Sequence, residues 1–225
     1  MNNKVKTITT LLVLAGLLVG CGSSGSSSKN TKAGYKGVFV DSFVSGISYS
    51  CGNVTGITDT NGVFGVCPAG SNVTFSIGNI ELGTAGQTAD NIFTPQDLVG
   101  IEREISDNNK INFNRKINLR EKANLIASLL LSLDTDGDPS NGISITPEVI
   151  TAFKVAVPTP IAMDDMTEAT ISAAVITTSD ALPNINLVVV SVEEAAAHLV
   201  ETAAAIDAGV IIAPEQPVIL DDSTN

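Results

Sequence analysis

The chain has 225 residues, with 24 Asp and Glu against 12 Lys and Arg, three Cys, one His and no Trp. That acid excess disfavours nucleic acid and anionic headgroups as partners, because like charges repel across the surface. One histidine cannot supply a two-histidine metalloprotease motif, and seven Phe and two Tyr are a poor stock for a sugar-binding cleft.

The first twenty residues have the three parts of an export signal. Lys4 and Lys6 give a basic start, and Ile8 to Val19 form an apolar run of twelve residues. That length suits a signal peptide and is too short to cross a bilayer. Leu18-Val19-Gly20-Cys21 resembles the lipobox of bacterial lipoproteins. The resemblance implies a signal peptide over 1–20, diacylglycerol on the Cys21 thiol, and an anchor in the cell envelope. Gly22, where Asp would signal retention, favours the outer over the inner membrane. Residues 21–33 then carry the lipid and a Ser/Gly tether whose reach is about 20 Å, enough to clear a headgroup layer.

From Tyr35 to Gly83 short runs rich in Val, Ile, Phe and Thr alternate with Gly, Asn, Asp and Pro, which predicts strands and tight turns. Asp59-Thr60-Asn61-Gly62 is a turn signal, since Asn and Gly tolerate positive φ. With Cys21 assigned to lipid, Cys51 and Cys67 remain to pair in an oxidising compartment and staple neighbouring strands. In the chain-entropy model a loop of that size stabilises by roughly 3 kcal/mol. Their spacing of sixteen fits neither a CxxC redox pair nor a zinc site.

Beyond Gly83 the pattern turns helical. Thr94-Pro95 predicts a capped short helix to Val99. Leu119, Ala123, Ile126, Leu130 and Leu133 recur at helical spacing and predict a helix over Asn118–Leu133, with Ser128 and Ser132 off the apolar stripe. Further helices are expected from Thr146-Pro147 to before Pro158, over 164–177, and from the Ser191/Glu194 capping box to Ala208. The fold class expected is α+β: a small antiparallel β-sandwich over 34–88, then a helical domain over 89–208. A loose acidic tail is expected over 209–225.

VFVDSFVSGISYSC, GITDTNGVFGV and VTFSIGNIELG resemble the sandwich module of bacterial surface lipoproteins of the accessory colonization factor and secreted mucinase type. That module is similar to the carboxypeptidase regulatory-like group, whose hairpin pattern falls here on Thr58, Asp59, Gly62 and Phe64. LIASLLLSLDTDGDPSNGISI and SVEEAAAHL are similar to a segment following such modules. The large mucin-degrading members carry an HExxH metalloprotease domain; here His198 is followed by Leu199-Val200-Glu201. The resemblance therefore implies anchor and stalk-like modules without the enzyme.

The strongest candidate for chemistry is the string Asp134 to Gly142. Asp134, Asp136, Asp138 and Ser140 at alternate positions could turn oxygens to one Ca²⁺, which takes hard oxygen ligands. The string departs from an EF-hand loop at Pro139 and Ile145, and Asp, Gly, Pro and Asn also make an ordinary post-helix turn. Lys110, Arg115, Lys116, Arg120 and Lys122 form a basic cluster that reads as a solvated helix face. His198 has no second His or free Cys for a metal site, and no GxSxG elbow or phosphate loop occurs. The sum is a non-catalytic binding, scaffold or adhesion module, with an unidentified protein or glycan as partner. A calcium-stabilised accessory subunit of an envelope complex is the alternative, and a small hydrolase a distant third.

Overall fold

Side chains in the first half alternate in burial, and that period of two makes the chain a set of half-buried strands. Tyr49 and Cys51 are buried while Ser48 and Ser50 face out; Val73, Phe75 and Ile77 are buried between half-buried Thr74 and Ser76. The computed structural model describes residues 34–103 and 113–217, and of residues 113–117 the backbone alone. Cys21, the tether and Lys110 lie outside the described residues, as do the side chains of Arg115 and Lys116.

The strands are β1 Tyr35–Phe39, β2 Val44–Ser45, β3 Ser48–Cys51, β4 Val54–Ile57, β5 Val63–Cys67, β6 Val73–Ile77, β7 Ile80–Ala85 and β8 Ile92–Phe93, with β9 Ile143–Ser144 and β10 Ile161–Ala162 later. They form one sheet in the order β5-β1-β8, one in the order β10-β7-β6-β3-β4, and a pair β2-β9. Rings from the two larger sheets meet between them. Phe64 of β5 lies 5.1 Å from Phe75 of β6, 5.1 Å from Phe93 of β8 and 5.4 Å from Tyr49 of β3. Such pairs add about 0.5–1.5 kcal/mol each beyond the area they bury.

The architecture is α+β with antiparallel-rich sheets. The exceptions to antiparallel pairing are β1/β8, β7/β10 and β2/β9, which run parallel. Each involves a strand of two residues, and in the last two pairs it returns from the helical half, too short to leave a periodic mark.

The β4–β5 turn shows what its motif does. Asp59 Oδ1 accepts from the backbone N–H groups of Asn61 and Val63, both at 2.9 Å. Gly62 has φ +70°, and a Cβ there would meet the Phe39 carbonyl oxygen at 2.5 Å. Only glycine combines that conformation with that approach. Thr58 is buried, and its hydroxyl accepts from the Ile47 N–H at 3.2 Å.

The helices are α1 Pro95–Leu98, α2 Phe113–Ser132, α3 Pro147–Ala156, α4 Glu168–Asp180 and α5 Val192–Asp207. Thr94 and Asp97 form a reciprocal capping box on α1, and Arg103 clamps Asp97 at 2.9 Å and Asp90 at 2.6 Å. The helix expected over 164–177 begins at Glu168 and runs to Asp180, after a 3₁₀ turn over Met163–Asp165. Its capping box uses Thr167 with Thr170 where Glu or Gln is usual, so the standard pattern does not reveal it.

Ser128 and Ser132 of α2 are buried, not solvent-facing. Ser128 donates to the Val190 carbonyl at 2.6 Å, and the Val190 N–H donates to Ser132 Oγ at 2.8 Å. The two hydroxyls satisfy both backbone groups of Val190, which an apolar stripe cannot do. One apolar cluster joins Phe75 of the sheets to Leu130 of α2, Phe153 of α3 and Val175 of α4. Residues 212–217 lack regular structure, yet Ile211 is buried against Val38, Val40 and Ile92. Gln216 exchanges two hydrogen bonds of 3.0 Å with the Lys36 backbone. Among the described residues, no helix is long and apolar enough to cross a membrane.

Candidate functional site

Cys51 closes β3 and Cys67 closes β5, and they form a disulfide with Cα atoms 5.6 Å apart. Both are buried. The bridge joins two different sheets, where neighbouring strands of one sheet were expected, because β5 crosses over to pair with β1. It fixes the spacing of the layers that enclose the aromatic rings.

The acidic string leaves the end of α2 and is held by its own backbone. Asp136 accepts from the Asp138 N–H and from the Asn141 amide, both at 3.1 Å. Asp138 accepts from the Ser140 N–H at 3.1 Å and from its hydroxyl at 2.6 Å. Asp134 accepts from the Ser144 N–H at 2.8 Å through Oδ1, while Oδ2 is buried with no hydrogen-bond partner. Burial above all, and then the negative charge of Asp136, pushes the Asp134 carboxyl up to about 6. Three of the four expected calcium ligands, Asp136, Asp138 and Ser140, thus spend hydrogen-bonding capacity on the turn itself. Among the described residues, no three His, Cys, Asp or Glu side chains gather as a metal would require.

Beside this loop lies a second set of residues that no sequence spacing indicates. Asp41 and Ser42 occupy the tight turn between the Val40–Phe43 bridge residues, with Ser42 at φ +58°. The Asp41 side chain is fully buried, neither oxygen has a hydrogen-bond partner, and burial pushes its carboxyl up to about 8. His198 of α5 sits over it. Its Nε2 is 3.2 Å from Ser42 Oγ and 3.7 Å from Asp41 Oδ1. Burial holds the imidazole below its ordinary range. Asp41 therefore keeps its proton near neutrality and His198 stays neutral, so the pair is uncharged. A triad needs serine and aspartate on opposite ring nitrogens, so that one orients the ring while the other surrenders its proton. Here both face Nε2, which is not the triad arrangement.

Two adjoining clefts, of about 350 and about 310 Å³, open here and share Pro139 and His198. The first is lined by Asp134, Glu194 and an aliphatic wall of Leu131 and Val188 to Val190. The second adds Ser42, Ser140, Glu201 and Thr202. Among the described residues no Lys, Arg or aromatic side chain lines either. The basic cluster is remote in character: Lys122 is paired with Asp164, and Arg120 borders a third, separate depression with Arg103. No family model, curated protein or solved structure matches this chain.

Proposed function

We propose that the chain is an exported lipoprotein, anchored through lipid on Cys21, whose folded part is a non-catalytic binding or scaffold module at the cell envelope. The observation that carries this reading is the Cys51–Cys67 bridge. A buried disulfide belongs to a chain that folds in an oxidising compartment, which agrees with the basic start, apolar run and lipobox of residues 1–21. The bridge also leaves Cys21 as the one remaining cysteine. Against catalysis stands the geometry around His198, where serine and aspartate share one ring nitrogen.

Kinship with the accessory colonization factor and mucinase lipoproteins is part of this proposal. Its support is local: Asp59, Gly62 and Thr58 each perform a structural task in the turn where the shared pattern falls. Metabolic labelling with a palmitate analogue tests the anchor. Wild-type chain is expected in the membrane fraction with label, and Cys21→Ser chain without label; label retained by the serine variant would refute it. Crosslinking in intact cells, with surface proteolysis as control, then reports partner and membrane face together.

The calcium-stabilised subunit is the second reading, favoured by one observation, the buried Asp134 oxygen without a donor. It predicts a calcium-dependent rise in melting temperature that Asp136→Ala abolishes; an unchanged temperature at millimolar calcium would remove it.

A further inference from the structure

We propose that the contact of Asp41 with His198 is a pH-sensitive latch, which holds the last turns of α5 and residues 209–217 closed over β1 and β8. Opening of this segment exposes Asp41 and releases its proton, so a rise in pH favours opening while the rest of the fold stands.

The packing makes the segment a unit. Ala195 and Leu199, in the first half of α5, belong to the main core that also holds Phe75 and Leu130. Ala205 and Ile206 near the helix end, with Ile211 and Ala213 beyond it, pack instead on a separate small cluster around Val38, Val40 and Ile92. The Val210 and Ile211 N–H groups turn back onto the Ala205 carbonyl, and Gln216 fastens the far end to Lys36. Few buried apolar residues hold this segment, and segments held so open at lower cost than the core.

Asp41 stands at the junction of the two clusters. Val40 before it belongs to the small one and Val44 after it to the main core. From α5, His198 Nε2 meets Ser42 Oγ at 3.2 Å, and Thr202 Oγ1 accepts from the Ser42 N–H at 3.4 Å. The Asp41 carboxyl is fully buried with neither oxygen partnered, so its ionised form is strongly disfavoured while the segment is closed. His198, 3.7 Å away, gives no positive charge in return, because burial holds the imidazole below its ordinary range. The other charged groups on the elements packed about this turn do not help. Glu194 and Glu201 of α5, Asp134 after α2 and Asp59 in the β4–β5 turn are acids, and Arg103 beyond β8 is spent on Asp90 and Asp97. Water, reached by opening, is the relief available to the charged form.

The test is hydrogen exchange of the full-length chain in zwitterionic micelles from about pH 5 to about pH 9, corrected for the intrinsic pH dependence of exchange. Protection of the amides of residues 203–211 should fall about tenfold per pH unit and level off above about 8, where the closed form has also lost the proton. At every pH it should stay below the protection of the β6 amides, which marks an opening separate from global unfolding. Asp41→Asn, with no proton to lose, should abolish the slope. The wild type gives a second measurement that needs no variant to fold: the carbon-13 resonance of the Asp41 carboxyl should titrate at about 8. Protection that does not change with pH, a slope retained by Asp41→Asn, protection at 203–211 equal to that of β6, or a carboxyl that titrates at about 4 would each overturn the proposal.

Discussion

The sheet half and the helical half are stabilised by different means. Of the nine aromatic residues, seven lie between Tyr35 and Phe93, together with the disulfide. There a few large contacts dominate: Phe75 alone touches Phe39, Phe64 and Phe93. From α2 onward the buried residues are mostly Ala, Leu, Ile and Val, and order comes from many smaller terms. Helix caps on α4 and α5 and the Ser128/Ser132 grip on Val190 are examples. A half resting on few contacts is fragile to single substitutions, whereas a half resting on many is not.

Phe75→Ala breaks the comparison at its strongest point. It empties the centre of a fully buried ring cluster and should cost about 3–5 kcal/mol, read by denaturant unfolding. Replacing both Cys51 and Cys67 by Ala should cost roughly 3 kcal/mol in the chain-entropy model. Reductant should then lower the midpoint of the wild type and leave the double variant unmoved; equal sensitivity of the two would contradict the bridge.

Asp41 sharpens the comparison at the seam between the halves. Its folded carboxyl titrates at about 8, above the 3.8 of an ordinary aspartate. The native state therefore binds the extra proton between those values, and this group's contribution to stability falls as pH rises through that window. His198 acts in the opposite sense, because its lowered value costs stability as pH drops below 6.5. Asp41→Asn removes the buried acid. It should be near neutral below about pH 4, where Asp41 is protonated folded and unfolded, and increasingly stabilising as pH rises to about 8, by a few kcal/mol at about pH 9. Melting temperatures across that range check it, and a gain that shrinks with pH would contradict the buried acid.

Ser191→Ala is the mild end. It deletes a reciprocal cap on α5 and should cost about 1 kcal/mol. If it destabilised as much as Phe75→Ala, the contrast between the halves would be void.

Legibility in the sequence followed the range of the interaction. The Ser191/Glu194 and Thr94-Pro95 caps, the Asp59 turn and the strand alternation are local, and they read directly. The disulfide was legible by counting, although not that it joins two sheets. The parallel strands of two residues, and the meeting of Ser42 with His198 across 156 positions, leave no spacing to detect. Ser128 and Ser132 lie off the apolar stripe, and their burial is not legible there because each hydroxyl serves another segment's backbone.

The pairing of Gln216 with the Lys36 backbone sets a direction for the whole molecule. Two bonds fasten the start of β1 to residue 216, so the first and last described segments lie side by side. A reporter fused after residue 217 would begin close to the start of β1. Asn61, exposed in the β4–β5 turn, is a second place to open the chain. Joining the two ends with a short linker and reopening the chain at that turn is a permutation this geometry invites.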